Sequence, residues 1–143
     1  MPHIKDEGSE FDAPIDTVWK FVMSEDHGPA HKSSRNPQVK PVADNVMLIT
    51  QEQNFNGNWV KTTNRITQLP PTGFVVEVIE GPLAGSKFIN YYTPKGDRTE
   101  VTVVGDFTSK AIPENQIEPA VRGYLATVFE EDSIAIREMS NEG

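Results

Sequence analysis

Hydrophobic and polar residues alternate over most of the middle of the chain, most regularly in the two runs that flank a turn at residues 94–97. Successive side chains of a β-strand point to opposite faces of a sheet, so a period of two predicts strands. The shared face of these two strands carries Phe88, Asn90, Tyr92, Val101, Val103, Gly105 and Phe107. Such a face, apolar with a few hydrogen-bonding groups, fits the wall of an enclosed ligand space at least as well as a dry core.

The same alternation predicts an antiparallel sheet of six to seven strands. The predicted strands lie at residues 3–12, 38–42, 46–53, 59–68, 74–80, 87–93 and 98–108. Most of them follow one another through short turns, which is typical of antiparallel pairing. The pair Asn56 and Gly57 is the strongest hairpin signal.

Two segments have the period of an amphipathic helix. The first opens at Ala13 and Pro14, because proline is favoured at the first helical position. Its apolar stripe consists of Ile15, Val18, Trp19 and Val22. The second, a long helix, covers residues 113–139 and presents one broad arc: Ile117, Val121, Tyr124, Leu125, Val128, Phe129, Ala135, Ile136 and Met139.

Pro119 interrupts the long helical pattern. A proline inside a helix removes a hydrogen bond and clashes with the preceding turn. Either residues 114–118 form a separate turn and the main helix begins at Pro119, or the helix is kinked there. We favour the separate turn, which gives a main helix over residues 119–139.

Composition restricts the class of protein. The 143 residues fit a single domain with its own core, and no cysteine is present for disulfides, thiolate metal ligands or thiol nucleophiles. A net charge of −8 with scattered lysines and arginines disfavours binding to nucleic acid. The apolar runs are too short for membrane insertion and the first residues do not resemble a signal peptide, so we expect a cytoplasmic protein.

A strand, a helix, a run of strands and a long helix make an α+β arrangement. In this order the motifs resemble the SRPBCC superfamily, the START-related, polyketide-cyclase-like domains with a helix-grip fold. The motifs that carry the resemblance are residues 11–14 (FDAP), Val18-Trp19, Pro70-Pro71, Gly81-Pro82 with Gly85, residues 94–102 (PKGDRTEVT) and the C-terminal helix.

The resemblance implies one domain over residues 1–143, in which a curved sheet wraps around the long helix and leaves a cavity. Members of the superfamily hold lipids, isoprenoid quinones or polyketides, and some are cyclases, dehydratases, oxygenase subunits or chaperone regulators. No catalytic motif is shared across it. The cysteines and histidines of a Rieske iron–sulfur centre are absent, and we expect no cofactor and no metal.

The predicted cavity wall combines the inward faces of the strands with the arc of the long helix. The candidate ligand-binding residues are Trp59, Phe74, Val76, Val78, Phe88, Asn90, Tyr92, Val103, Phe107, Val121, Tyr124, Leu125 and Val128. Asn90 and Tyr92 either orient a ligand or bond to neighbouring backbone and merely satisfy themselves. The inward face of the fourth strand stays open, with Trp59 near the cavity rim.

Asp132 is the candidate catalytic residue. It falls in the middle of the apolar arc of the long helix, where a carboxylate facing a cavity can act as general acid or base. The alternative is an Asp132 that is solvated at a protruding helix end or paired with a lysine or arginine. His27 and His31 have a spacing suited to metal ligands on a helix, but Gly28-Pro29 lies between them, which favours an ordinary loop pair.

Three functions fit these patterns. The first is binding of a small hydrophobic or amphipathic ligand, by a monomer or homodimer. The second is a cyclase or dehydratase that transfers protons through Asp132 with Tyr92 or a histidine. The third is a protein-interaction module that uses the outer face of the sheet, with Val75 and Ile79 as exposed apolar positions.

Overall fold

The computed structural model describes residues 2–24, 32, 34–55 and 57–142. Within these residues, seven strands form one antiparallel sheet in the order β1-β7-β6-β5-β4-β3-β2. The strands are β1 His3–Phe11, β2 Ser34–Ala43, β3 Val46–Phe55, β4 Asn58–Leu69, β5 Gly73–Glu80, β6 Lys87–Lys95 and β7 Arg98–Asp106. The described helices are α1 Ile15–Val22 and α2 Glu114–Glu142.

The sheet confirms the antiparallel arrangement expected from the short turns. From β2 to β7 each strand pairs with the next along the chain, and β1 closes the order by pairing with β7. The register places Tyr92 opposite Val101 and Asn90 opposite Val103, so the two strands present these residues on one shared face. This inner face is the one that meets α2.

Helix α1 lies against one end of the sheet. Pro14 is its N-cap and not its first helical residue, and Asp16 lies in the first turn, at the positive end of the helix dipole. The indole of Trp19 donates a hydrogen bond to the carbonyl of Pro71, which ties α1 to the turn between β4 and β5. Phe21 is 1% exposed and completes the buried side of the helix.

Two apolar clusters hold α2 on the sheet. The α1 cluster consists of Phe11, Ala13, Val18, Trp19, Phe21, Tyr92 and Ile136. The β7 cluster consists of Ile4, Val103, Phe107, Ile117, Val121 and Leu125. Burying a large aliphatic or aromatic side chain stabilises a fold by about 1.5–3 kcal/mol, so the two ends of α2 are firmly anchored.

The long helix runs without a break through Pro119. It starts at Glu114, so the prediction of a separate turn with a main helix from Pro119 was wrong. Pro119 stands near the start of the helix, where its missing N–H removes one bond, to the carbonyl of Asn115. The burial of Ile117 and Val121 on either side, both 0% exposed, favours continuous helix over this local cost.

Candidate ligand cavity

A cavity of about 30 Å³ lies between the inner face of the sheet and α2. Its lining consists of Gln53, Thr62, Asn64, Val76, Val78, Pro82, Leu83, Phe88 and Tyr124. About 10–15 Å³ is enough for a water molecule, whereas small-molecule sites measure about 300–1,000 Å³. The cavity therefore accommodates a water-sized group, and a larger ligand requires α2 and the sheet to move apart.

Strand register assembles the sheet side of this cavity. Asn64 on β4 pairs with Val78 on β5, and Val76 on β5 pairs with Phe88 on β6. Thr62 lies two residues before Asn64 on β4 and shares its face. The wall is apolar on β5 and β6 and becomes polar on β4.

The loop between β5 and β6 forms one end of the cavity through Pro82 and Leu83. It is held to β5 by hydrogen bonds from the backbone N–H of Gly85 to the carbonyl of Val78 and from the N–H of Val78 to the carbonyl of Ser86, both at 2.9 Å. Gly81 starts the loop with φ +123°, a conformation that favours glycine. A Cβ there would lie 2.9 Å from Cγ2 of Thr62, so Gly81 allows the loop to approach the cavity wall.

The hydroxyl of Thr62 is the most unusual polar group of the cavity. Thr62 is 4% exposed, and its Oγ1 makes no hydrogen bond to any residue that the structure describes. Buried polar atoms are almost always hydrogen-bonded, and one left without a partner costs about 1–3 kcal/mol. The hydroxyl oxygen is covered, so a molecule that enters the cavity would gain a hydrogen bond there only by displacing the groups that cover it.

Gln53 and Tyr124 connect β3 to α2 across the cavity. The side-chain amide of Gln53 donates a hydrogen bond to the hydroxyl oxygen of Tyr124. Burial is the main cause that raises the pKa of Tyr124 to about 12; the nearby Glu131 and Asp132 carboxylates act in the same sense, and the bond from Gln53 acts in the opposite sense. The phenol is therefore protonated at neutral pH and keeps its own proton to donate.

Asp132 is half-buried on α2, close to two tyrosines. Its negative charge contributes to the raised pKa of both Tyr92 and Tyr124. For Tyr92 burial is the larger cause, and a hydrogen bond with the Asn90 side chain opposes the shift. The carboxylate thus lies on the inward side of the helix, near the polar end of the cavity, although it does not line the cavity itself.

Comparison with known proteins identifies the fold. No protein-family model matches the sequence, and no curated protein matches it either. Among solved structures, TTHA0849 from Thermus thermophilus has a TM-score of 0.81 at 13% identity, covering 97% of this chain and 99% of that one. The Zhui aromatase/cyclase from Streptomyces sp. R1128 has a TM-score of 0.72 at 13% identity, covering 92% and 93%.

A START superfamily protein from Mycobacterium smegmatis has a TM-score of 0.76 at 9% identity, covering 96% of this chain and 98% of that one. The chain has the SRPBCC fold. The resemblance read from the sequence motifs and the predicted helix-grip architecture are thereby confirmed. At these identities the likeness concerns the fold alone, and the ligand has to be argued from this chain's own residues.

The residues that the sequence analysis predicted to line the cavity fall into three groups in the structure. Those that line the cavity are Val76, Val78, Phe88 and Tyr124. Those that belong to or pack on the two clusters are Phe74, Tyr92, Val103, Phe107, Val121 and Leu125. Asn90 bonds to Tyr92, and Val128 is half-buried on α2.

Trp59 lies on the outer face of the sheet, not near the cavity rim as the sequence analysis expected. Its neighbour Val60 pairs with Gln53, whose side chain reaches Tyr124, so that face of β4 is the inner one. Trp59 is 37% exposed, and the guanidinium of Arg35 lies 4.0 Å from its ring centroid. A cation–π contact at the surface accounts for an exposed tryptophan without a ligand.

The outer face carries charged pairs beside its apolar positions. Lys61 and Glu80 approach to 3.5 Å, and Thr63 donates to Glu80 at 3.3 Å. Ile79 is 50% exposed next to this pair, and Val75 is half-buried. Of the two positions named for the interaction-module hypothesis, Ile79 is thus exposed but flanked by charge, and Val75 is partly covered.

Sequence reasoning missed five lining residues: Gln53, Thr62, Asn64, Pro82 and Leu83. Three of them lie on β3 and β4, where a signal was present. On β4 the face of Thr62 and Asn64 has no charge, whereas the opposite face carries Lys61 and Arg65. If the charges had been given more weight than the tryptophan, Thr62 and Asn64 would have been assigned to the inner face of the sheet.

His27 and His31 lie outside the described residues. Within the described part of the chain, no group of three or more His, Asp or Glu side chains is placed to hold a metal ion. In the same part, no helix has the length and apolar composition needed to cross a membrane.

Proposed function

We propose that the protein binds a small hydrophobic or amphipathic molecule between α2 and the inner face of the sheet. The chemical classes that fit are lipids, isoprenoid or quinone compounds and polyketide-like aromatics. The observation that carries the proposal is the cavity beside Thr62, which combines an apolar wall with a buried hydroxyl that has no protein partner among the described residues.

The position of the cavity supports this function. It borders the β7 cluster, on which its lining residues Leu83, Phe88 and Tyr124 pack, while the α1 cluster anchors the other end of α2. Near the cavity, the bond between Gln53 and Tyr124 joins helix and sheet. A single hydrogen bond contributes about 0.5–1.5 kcal/mol, so its loss is a small cost for a ligand that separates β3 from the middle of α2.

Copurification and thermal stability test the proposal together. Native mass spectrometry of freshly purified protein shows whether a small molecule is carried along. A panel of lipids, quinones and aromatic polyketides is then added while the melting temperature is followed. A ligand present at about a hundred times its dissociation constant adds about 2.7 kcal/mol to the free energy of unfolding. No copurified mass and no shift with any class would contradict ligand binding.

A pair of variants on β5 locates the site. Val78→Phe places an aromatic ring in the cavity. Val75→Phe places the same ring on the outer face, since strand residues an odd number of positions apart point to opposite sides of the sheet. We expect Val78→Phe to lose the ligand-induced shift and Val75→Phe to keep it. A shift that both variants keep would show that binding occurs elsewhere.

A proton-transfer enzyme is the second candidate, favoured by the position of Asp132 next to Tyr92 and Tyr124. In this reaction a ligand that separates α2 from the sheet would bring its ketone next to Asp132, whose carboxylate would take a proton from the carbon beside the carbonyl. The resulting enolate oxygen would accept a hydrogen bond from Tyr124, and the acid would return a proton from solvent to the carbon.

Exchange of ketone protons for deuterium in heavy water tests this second candidate. The methyl protons of 2-acetylnaphthalene are followed by NMR with the wild-type protein, Asp132→Asn and Glu130→Gln. Glu130 is exposed on the same helix and serves as the matched control. Catalysed exchange lost only in Asp132→Asn supports the enzyme, and exchange no faster than in buffer removes it.

A further inference from the structure

The polar atoms of the cavity are concentrated at one end. Thr62 and Asn64 come from β4, Gln53 from β3 and Tyr124 from α2. The rest of the lining is apolar and consists of Val76, Val78, Leu83, Phe88 and Pro82. A molecule held there would direct one polar group toward β4 and leave its apolar remainder against β5 and β6.

Two hydroxyl protons are available at the polar end. Thr62 Oγ1 has no partner among the described residues and can both donate and accept. The oxygen of Tyr124 already accepts from Gln53, which leaves the phenol proton for another acceptor. Because the pKa of Tyr124 is about 12, this proton is present throughout the physiological range.

Charge around the polar end opposes an anion. Every side chain of the lining is uncharged, so a buried carboxylate or phosphate would meet no cation there. Glu131 and Asp132 lie close enough to Tyr124 to raise its pKa, which shows that the local potential is negative. Burying a charge without an opposite partner is far more costly than burying a neutral polar group.

We infer that the cavity recognises a neutral oxygen, a ketone carbonyl or a hydroxyl, on an otherwise apolar molecule, and discriminates against carboxylates and phosphates. Thr62 and Tyr124 donate hydrogen bonds to that oxygen. The inference rests on the proposed function and narrows its ligand classes to uncharged oxygenated aromatics and lipids without an anionic head.

Matched probes separate this inference from the function on which it rests. The probes are naphthalene, 2-acetylnaphthalene, 2-naphthoate and 2-naphthylmethylammonium, with 2-decanone and decanoate as a linear pair. Dissociation constants are measured by calorimetry or fluorescence at about pH 7. We expect each ketone to bind at least about tenfold more tightly than its carboxylate, since a tenfold change corresponds to only about 1.4 kcal/mol.

Two neighbouring threonines supply the variant and its control. Thr62→Val removes the cavity hydroxyl with little change in size, and Thr63→Val changes the adjacent residue on the outer face, where its hydroxyl bonds to Thr50 and Glu80. We expect Thr62→Val to weaken 2-acetylnaphthalene binding about fivefold and naphthalene binding not at all, which is the effect of one neutral hydrogen bond. Thr63→Val leaves both affinities unchanged.

The outcomes are distinct. A carboxylate or the ammonium probe that binds as tightly as the ketone overturns the inference, and so does an unchanged ketone affinity in both Thr62→Val and Tyr124→Phe. Tyr124→Phe keeps the test decisive if Thr62→Val does not fold. Failure of all six probes to bind counts against the proposed function itself.

Discussion

Gln53 on β3 and Tyr124 on α2 are hydrogen-bonded to each other across the cavity, from the amide of the glutamine to the oxygen of the phenol. They are separated by 71 positions in the sequence. The bond joins β3 to the long helix beside the β7 cluster, on which Tyr124 packs. It also holds a phenol in a buried, negatively charged environment, which makes the protein's stability sensitive to high pH.

The pKa of Tyr124 is raised from 10.0 to about 12, so its protonated form is favoured by folding. Such a group contributes stability that is complete below about pH 10 and is lost as the pH rises toward about 12. Each tyrosine of this kind lowers the free energy of unfolding by up to about 1.4 kcal/mol per pH unit in that window. Urea unfolding between about pH 8 and pH 11.5 should show this fall. In Tyr124→Phe the free energy of unfolding should fall less steeply with pH. Equal slopes in the variant and the wild type would contradict the raised pKa of Tyr124.

Asp132→Asn should lower the pKa of both buried tyrosines, because the carboxylate raises the pKa of Tyr92 and of Tyr124 through its charge. The rise in phenolate absorbance near 295 nm would then begin at lower pH than in the wild type. Glu130→Gln removes an exposed charge from the same helix and should leave the titration in place. A titration that does not move in Asp132→Asn would mean that the carboxylate faces away from both rings.

Thr62→Val should stabilise the protein without ligand by about 1 kcal/mol, because the buried hydroxyl is desolvated without a bond to a described residue. Thr63→Val should have the opposite sign, losing about 1 kcal/mol, since Thr63 bonds to Thr50 at 3.1 Å and to Glu80 at 3.3 Å. Chemical denaturation of the two variants gives the comparison. Destabilisation of equal size in both would show that Thr62 is satisfied after all.

Gly105→Ala should destabilise the protein by about 1–3 kcal/mol or more. Gly105 pairs with Phe88, and a Cβ at position 105 would lie 2.3 Å from the carbonyl oxygen of Lys87 and 2.4 Å from Cβ of Phe88. The glycine thus permits the stacking of Phe88 on Phe107, whose ring centroids are 5.1 Å apart.

Gly123→Ala is the matched control. Gly123 is exposed on α2, and apart from its chain neighbours and the backbone of its own helix, no heavy atom of the described residues lies within 4 Å of the position that its Cβ would take. Replacing glycine by alanine in a helix interior gains about 1 kcal/mol. Melting temperatures of the two alanine variants should therefore move in opposite directions, and a stable Gly105→Ala would refute the close packing described for β6 and β7.

Much of the fold follows from local patterns. The alternation at residues 87–107 was enough to place Phe88, Tyr92 and Val103 on one face, because a strand fixes the side of each residue. The helical arc that includes Val121 and Leu125 followed in the same way from a period of about 3.6 residues. Pro119 was misjudged because the local cost of a proline was weighed without the burial of Ile117 and Val121 on either side.

Several features of the candidate site could be established only from the tertiary structure. The sequence by itself determined the strands, the two helices and the apolar face of most elements, since these depend on neighbours within a few residues. On β4 the charges and the tryptophan gave opposite indications, and pairing with β3 and β5 decided between them: Thr62 points inward and Trp59 outward. The contact of Gln53 with Tyr124, the small size of the cavity and the place of Asp132 beside two tyrosines depend on how α2 packs across the sheet, and long-range packing of this kind leaves no periodic signal in the chain.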